Sequence, residues 1–183
     1  MKNILFIVLF SFPLWGLGGC NNNDDSSNGA LPAATQTGAG TFACKVNGKT
    51  FIDHSSTFNC YYQYNDGEYN FGINGNDDDY KFNGTIPWSI HLQAYNRVLQ
   101  EGQTYQLKST GNGNVYGIAA FSTSPTDGTS SYTNSTYTGE LNLTKFDEST
   151  QIVSGTFWFD VRHPVTGETL EIREGRFDTH FGH

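Results

Sequence analysis

The chain has 183 residues, a net charge of −8, 15% charged residues, 15% aromatic residues and 21 Gly. A pI near 4.9 excludes the basic face that nucleic-acid binding requires. The 3 Trp, 10 Tyr and 14 Phe exclude a disordered chain, and the composition is not the Ala, Glu, Lys and Leu mixture of a long coiled coil. A polar, aromatic-rich, turn-rich globular domain remains.

The chain opens with Met1-Lys2-Asn3, and residues 4–17 are apolar except for Ser11, Pro13 and Gly16. This run is short and interrupted for a membrane span and reads as a secretory signal over residues 1–19. Leu17-Gly18-Gly19-Cys20 resembles a bacterial lipobox: small residues enter a protease site extended, and the Cys20 thiol takes the diacylglycerol and becomes the new N-terminus. Several acyl chains at one terminus give stable membrane anchoring. Cleavage also removes Lys2 and takes the net charge from −8 to −9. Residues 21–40 are mostly Asn, Asp, Ser, Gly, Ala and Thr, with one Pro, one Gln and a single Leu, a composition that predicts a flexible tether over 20–40. Asp24 and Asp25, just past the lipid, are similar to the short acidic signals that send Bacteroidetes lipoproteins to the outer face of the outer membrane. Surface display is the expectation, with the periplasmic face as the alternative.

Residues 41–183 form the domain. Trp88, Ile90, Leu92 and Ala94 alternate with Ser89, His91, Gln93 and Tyr95, and Phe157, Phe159 and Val161 alternate with Thr156, Trp158 and Asp160. Period two predicts half-buried strands. Asn47-Gly48, Asp66-Gly67, Asn74-Gly75, Asn83-Gly84, Asn112-Gly113 and Asp127-Gly128 place a residue tolerant of positive φ before Gly, as tight hairpins require. The spacing predicts ten to twelve strands in an all-β fold, an antiparallel β-sandwich or flattened barrel with mostly hairpin and meander connections. A short helix is expected over residues 94–100, a loop or edge hairpin over 126–138, and a fraying C-terminus carrying His180 and His183.

Cys44 and Cys60 share the apolar side of their strands. They are a disulfide candidate, closing a loop of about 15 residues worth roughly 3 kcal/mol, or alternatively two buried thiols. No nucleophile elbow, zinc-protease motif, phosphate loop or Cys-x-x-Cys occurs. The run Asp77, Asp78, Asp79 is the local candidate for calcium, which takes oxygen ligands from a flexible loop, although adjacent aspartates are also simply solvated. Glu168, Glu171 and Glu174 are the densest glutamates and read as strand charges rather than a glycosidase pair. Tyr61, Tyr62, Tyr64, Tyr69 and Trp158 are candidates for stacking on sugar rings, or for cross-strand aromatic pairs that stabilise the sheet.

Two stretches carry a resemblance. Residues 31–49, containing Thr41-Phe-Ala-Cys44-Lys-Val-Asn-Gly48, open the domain. Ser154-Gly-Thr-Phe-Trp-Phe-Asp-Val161 and Gly167-Glu-Thr-Leu-Glu-Ile-Arg-Glu-Gly175-Arg-Phe-Asp178 close it. Together they resemble a Bacteroidetes β-rich lipoprotein family of unknown function. The resemblance implies a lipid anchor, a polar tether and a small all-β domain, and it carries no catalytic residue. Within the closing motif, Gly175 after Glu174 predicts a bulge or a close backbone approach. The leading expectation is a non-catalytic module, anchored in the membrane through its lipid, that binds a glycan, peptide or protein. A structural or assembly role in the envelope comes second, and a hydrolase with an unrecognised site third.

Overall fold

The structure, a computed structural model, describes residues 29–55 and 59–183. The lipobox and Asp24-Asp25 lie outside the described residues. Eleven strands follow in order: β1 Thr41–Val46, β2 Lys49–Ile52, β3 Asn59–Asn65, β4 Glu68–Asn76, β5 Ser89–Ala94, β6 Thr104–Leu107, β7 Val115–Ser124, β8 Asp127–Tyr132, β9 Gly139–Asp147, β10 Ile152–Arg162 and β11 Thr169–His180. A 3-10 turn at Asp78–Tyr80 is the one helical element among the described residues. The fold is all-β, as expected.

The strands hydrogen-bond in the order β2-β1-β11-β10-β9-β6-β7-β5-β4-β3, with β8 added on β7. The path doubles over at β6 and β7, which are parallel and meet at the Cα pair Leu107↔Val115. β2, β1, β11, β10, β9 and β6 form one layer, and β3, β4, β5, β7 and β8 the other. β2 and β3 end the path unpaired with each other, so the sheet is a sandwich and not a closed barrel. The inward positions are those the alternation predicts: Ile90, Leu92 and Ala94 from β5, and Phe157, Phe159 and Val161 from β10, are all buried. Phe42, Phe51, Phe71 and Phe177 join them in one apolar core.

Turn chemistry accounts for the short connections. Asn47 and Gly48, like Asp66 and Gly67, both have positive φ, the geometry that matches a two-residue loop to strand twist. Asn74-Gly75 behaves differently and lies inside β4. A Cβ on Gly75 would sit 2.2 Å from Cδ1 of Phe42, whose ring is buried 5.2 Å from that of Phe157. Gly75 therefore marks a close approach of the two layers and not a turn. Gly75→Ala is expected to cost about 2 kcal/mol by overpacking, read as a lowered midpoint in denaturant unfolding. The closing motif has its bulge: the β10–β11 register shifts between Phe157 and Phe159, and the Phe157 ring occupies the space where a Gly175 side chain would stand.

Three further expectations are corrected. Residues 94–100 form no helix. Ala94 ends β5, and the backbone amides that a helix would use internally find tertiary partners, Arg97 N–H donating to Tyr69 O (2.9 Å) and Gln100 N–H to the Tyr105 hydroxyl (2.8 Å). The C-terminus does not fray: Phe181 is buried, and Gly182 exchanges backbone hydrogen bonds with Cys60 and Tyr62 at 2.9 Å each, stitching the edge of β3. Cys44 and Cys60 form no disulfide; each is a buried free thiol, packed in the apolar core as a small hydrophobe. Burial pushes both thiols well above the ordinary range, leaving them inert.

The predicted tether also has an ordered portion. Asp178 on β11 is 1% exposed, and its carboxylate accepts from Thr35 Oγ1 (2.6 Å), Thr37 N (2.9 Å), Gly38 N (2.8 Å), Ala39 N (3.2 Å) and Ser154 Oγ (2.7 Å). Arg176 Nη1 donates to Pro32 O (3.2 Å) and Thr50 Oγ1 to Gly29 O (2.9 Å). Residues 29–39 thus form a strap across the outer face of the β2-β1-β11-β10 layer.

Candidate functional site

The outer face of the other layer is concave. The strand registers bring its outward side chains into rows. Asn59 on β3 lies opposite Asn74 on β4, which lies opposite His91 on β5, then Ile118 on β7 and Tyr132 on β8. The next row runs Tyr61, Gly72, Gln93 and Tyr116. The third runs Asn76, Ser89, Ala120 and Ser130. Small side chains in that third row leave a groove of about 820 Å³, within the range of ligand sites. Trp88, Tyr95, Tyr116 and Tyr132 supply its aromatic surface, and Asn59, Asn74, His91, Gln93, Thr110 and Ser130 its polar surface. None of the lining residues is Asp, Glu, Lys or Arg.

The aromatic side chains are held in different ways. Tyr95 and Tyr132 stand at the rim, 45% and 44% exposed, while Tyr116 is 3% exposed. Burial, followed by the neighbouring phenols Tyr95, Tyr61 and Tyr132, pushes the Tyr116 hydroxyl far above its usual range. That hydroxyl donates to Gln93 Oε1 at 2.8 Å. Trp88 falls outside the alternation that sequence periodicity assigns to it. β5 begins at Ser89, and Trp88 is fixed through its backbone N–H to Ala120 O (3.0 Å), so its side chain lines the groove instead of the core.

The polar floor is organised around Ser89 and His91. Ser89 Oγ lies 2.5 Å from Asn76 Oδ1 and 2.8 Å from His91 Nε2. A serine hydroxyl has one proton, and Asn76 Oδ1 can only accept, so the proton goes to Asn76. Ser89 is fully buried and is therefore not an activated nucleophile despite its imidazole neighbour. Burial lowers the His91 pKa and favours the neutral ring. With no carboxylate in the lining, the groove also lacks the acid–base pair of a glycosidase.

The residues singled out from sequence are dispersed. Tyr61 lies on the grooved face, its ring over Gly72, where a Cβ would meet it at 2.5 Å. Tyr62 points into the core, 2% exposed, stacked on Tyr69 at 5.2 Å and edge-on to Phe146 at 4.9 Å. Tyr64 is exposed and packs on Tyr69 at 4.7 Å. Trp158 lies on the opposite layer, donating to Glu140 Oε2 (3.3 Å) beneath the Arg173 guanidinium at 5.4 Å. Tyr62 and Tyr69 thus pack with the core, while Tyr64 and Trp158 stand outside the groove.

The three aspartates have separate uses. Asp77 caps the 3-10 turn, accepting from Asp79 N (3.1 Å) and Ile52 N (3.4 Å), and Asp78 pairs with Lys81 at 3.7 Å. Among the described residues no group of three His, Cys, Asp or Glu could hold a metal ion. Glu171 and Glu174 pair with Arg173 (3.2 Å) and Lys45 (2.8 Å). His163 is structural: its Nδ1 accepts from Val165 N and Thr166 N, and Nε2 lies 3.2 Å from Thr85 O.

Comparison with protein-family models, curated proteins and solved structures finds no match to this chain.

Proposed function

We propose that this chain is an envelope lipoprotein of the Bacteroidetes type, anchored through Cys20 and displayed at the outer face of the outer membrane, whose β-domain is a non-catalytic binding module for a neutral glycan. The uncharged, aromatic-lined groove carries this reading. A sugar presents apolar C–H faces and uncharged hydroxyls, which aromatic rings and amide or hydroxyl groups match without desolvating any charge. The side chains of Asn59 and Asn74 line the groove, and a carboxamide offers ligand hydroxyls both donors and an acceptor. A charged polymer would find no counter-charge among the lining residues; the nearest cation to its aromatic surface is Lys81 Nζ, 6.0 Å from the Trp88 ring. The strap over residues 29–39 supports the placement, since it occupies the outer face of the opposite layer and the groove then faces away from the anchored end.

A glycan array separates neutral from acidic chains. Retention of neutral plant or microbial oligosaccharides, with no retention of uronate, sialylated or sulfated chains, is the expected result. Selective retention of acidic glycans contradicts the reading.

A further inference from the structure

The groove floor has a fixed hydrogen-bond polarity. Ser89 gives its proton to Asn76 Oδ1 at 2.5 Å; its other acceptor, Gly75 O, is more distant at 3.3 Å. Ser89 Oγ is therefore an acceptor toward His91, and Nε2 of His91, at 2.8 Å, must carry the ring proton. A neutral imidazole has one N–H, so Nδ1 is left as an acceptor with no partner among the described residues. Two residues along the strand, on the same face, the reverse holds. Gln93 Oε1 is occupied by the Tyr116 hydroxyl at 2.8 Å, which leaves Gln93 Nε2 as a donor.

We propose that His91 and Gln93 are the specificity-determining pair of the groove, reading two ligand hydroxyls of opposite polarity: one donates to His91 Nδ1, the other accepts from Gln93 Nε2. The assignment rests on the groove being the glycan site. It excludes ligands that place a second acceptor, such as a carboxylate or a methylated hydroxyl, over His91, because two lone pairs would then face each other with no proton between them.

The imidazole also makes binding dependent on pH. Protonation places a hydrogen on Nδ1 and abolishes the acceptor, so affinity is steady at neutral and alkaline pH and falls as pH drops below the ordinary imidazole range. The neighbours of His91 do not reverse this sign. Asn74 and Ile118 lie directly opposite and do not titrate. Burial raises the phenols Tyr61 and Tyr116 above their ordinary range, so they stay neutral throughout that window. The carboxylates reached through Asn76 are Asp53, which accepts from its backbone N–H at 2.8 Å, and the adjoining Asp77.

The test uses the full chain and two measurements. Imidazole ¹⁵N NMR of the free protein is expected to show His91 as the Nε2–H form. Calorimetry with cellohexaose, maltohexaose, mannohexaose and xylohexaose is expected to give binding to at least one. Removing one hydrogen bond weakens that binding about tenfold in His91→Phe, and the acid limb of its pH profile disappears. Gln93→Glu, which replaces the donor with an acceptor, weakens it by at least as much. An Nδ1–H imidazole, or binding that His91→Phe leaves unchanged in strength and pH profile, overturns the assignment alone. Failure of the wild-type protein to bind all four overturns the glycan reading and this assignment with it.

Discussion

Asp178→Ala is expected to destabilise the protein by about 4 kcal/mol, the largest effect of any single surface-layer substitution. The carboxylate is almost wholly buried and gathers donors from Thr35, Thr37, Gly38, Ala39 and Ser154. Truncation leaves several buried N–H and O–H groups without an acceptor. Hydrogen bonds to a charged group contribute about 1.5–3 kcal/mol each, and they do not sum when they share one carboxylate. Burial alone would raise the Asp178 pKa; the hydrogen bonds from Thr35, Thr37, Ser154 and Gly38 outweigh it and hold the carboxyl below the usual range. The sign of the pH effect follows. A depressed folded-state pKa contributes stability that is complete above the unfolded value, near 3.9, and is lost as pH falls below it. Urea unfolding at pH 7 and pH 3 is expected to show a steeper acid loss in the wild type than in Asp178→Asn. Amide exchange of residues 35–39 should rise sharply in the variant. Unchanged protection there would contradict the strap.

Trp88→Ala is expected to weaken neutral-glycan binding by about thirty- to a hundredfold, or about 2–3 kcal/mol, with little change in unfolding midpoint. Among the groove aromatics Trp88 presents the largest ring, and aromatic anchors of this size dominate recognition energetics. Its backbone hydrogen bonds with Ala120 and Asp77 survive the substitution, so the strand pairing around β5 stays intact. Isothermal calorimetry compares it with Trp158→Ala on the opposite layer, which should leave affinity unchanged. Equal losses in both variants would mean that the aromatic content acts through stability instead of contact.

Much of the fold could be read from local chemistry. The alternation through Ile90, Leu92 and Ala94 and through Phe157, Phe159 and Val161 placed those side chains inward, and Asn47-Gly48 and Asp66-Gly67 placed two hairpins. These signals are local because pleat and turn geometry are local. The link from β6 to β7 left no comparable trace: one pair of residues joins the layers there. The groove was less legible still. Its residues come from strands spread between Asn59 and Tyr132, and each by itself is an ordinary outward polar or aromatic position. Only the register places Asn59, Asn74 and His91 in line. Trp88 continues the alternation in sequence but precedes the start of β5 at Ser89, so strand parity does not fix its direction. Among the tyrosines, Tyr62 and Tyr69 share the inward face of their hairpin, which selects core packing for them and leaves Tyr61 on the grooved side.

The same registers explain why the two outward faces differ. On the β9–β10–β11 face, Arg173 pairs with Asp160 and Glu171, Arg176 pairs with Glu174, and Glu140 accepts from the Trp158 indole. On the β3–β4–β5–β7 face, the groove is lined by amides, hydroxyls and aromatic rings with no charged side chain. A surface saturated with its own ion pairs is a poor binding site, whereas one with amides beside aromatic rings is poised for a ligand.

The most direct measurement is ¹H–¹⁵N chemical-shift mapping of the labelled protein titrated with the four neutral hexasaccharides. Shifts confined to β3, β4, β5, β7 and β8, centred on His91, Gln93 and the Trp88 indole, are the expected result. Saturable shifts centred on Trp158, or none with any of the four sugars, would contradict the assignment of the groove as a neutral-glycan site.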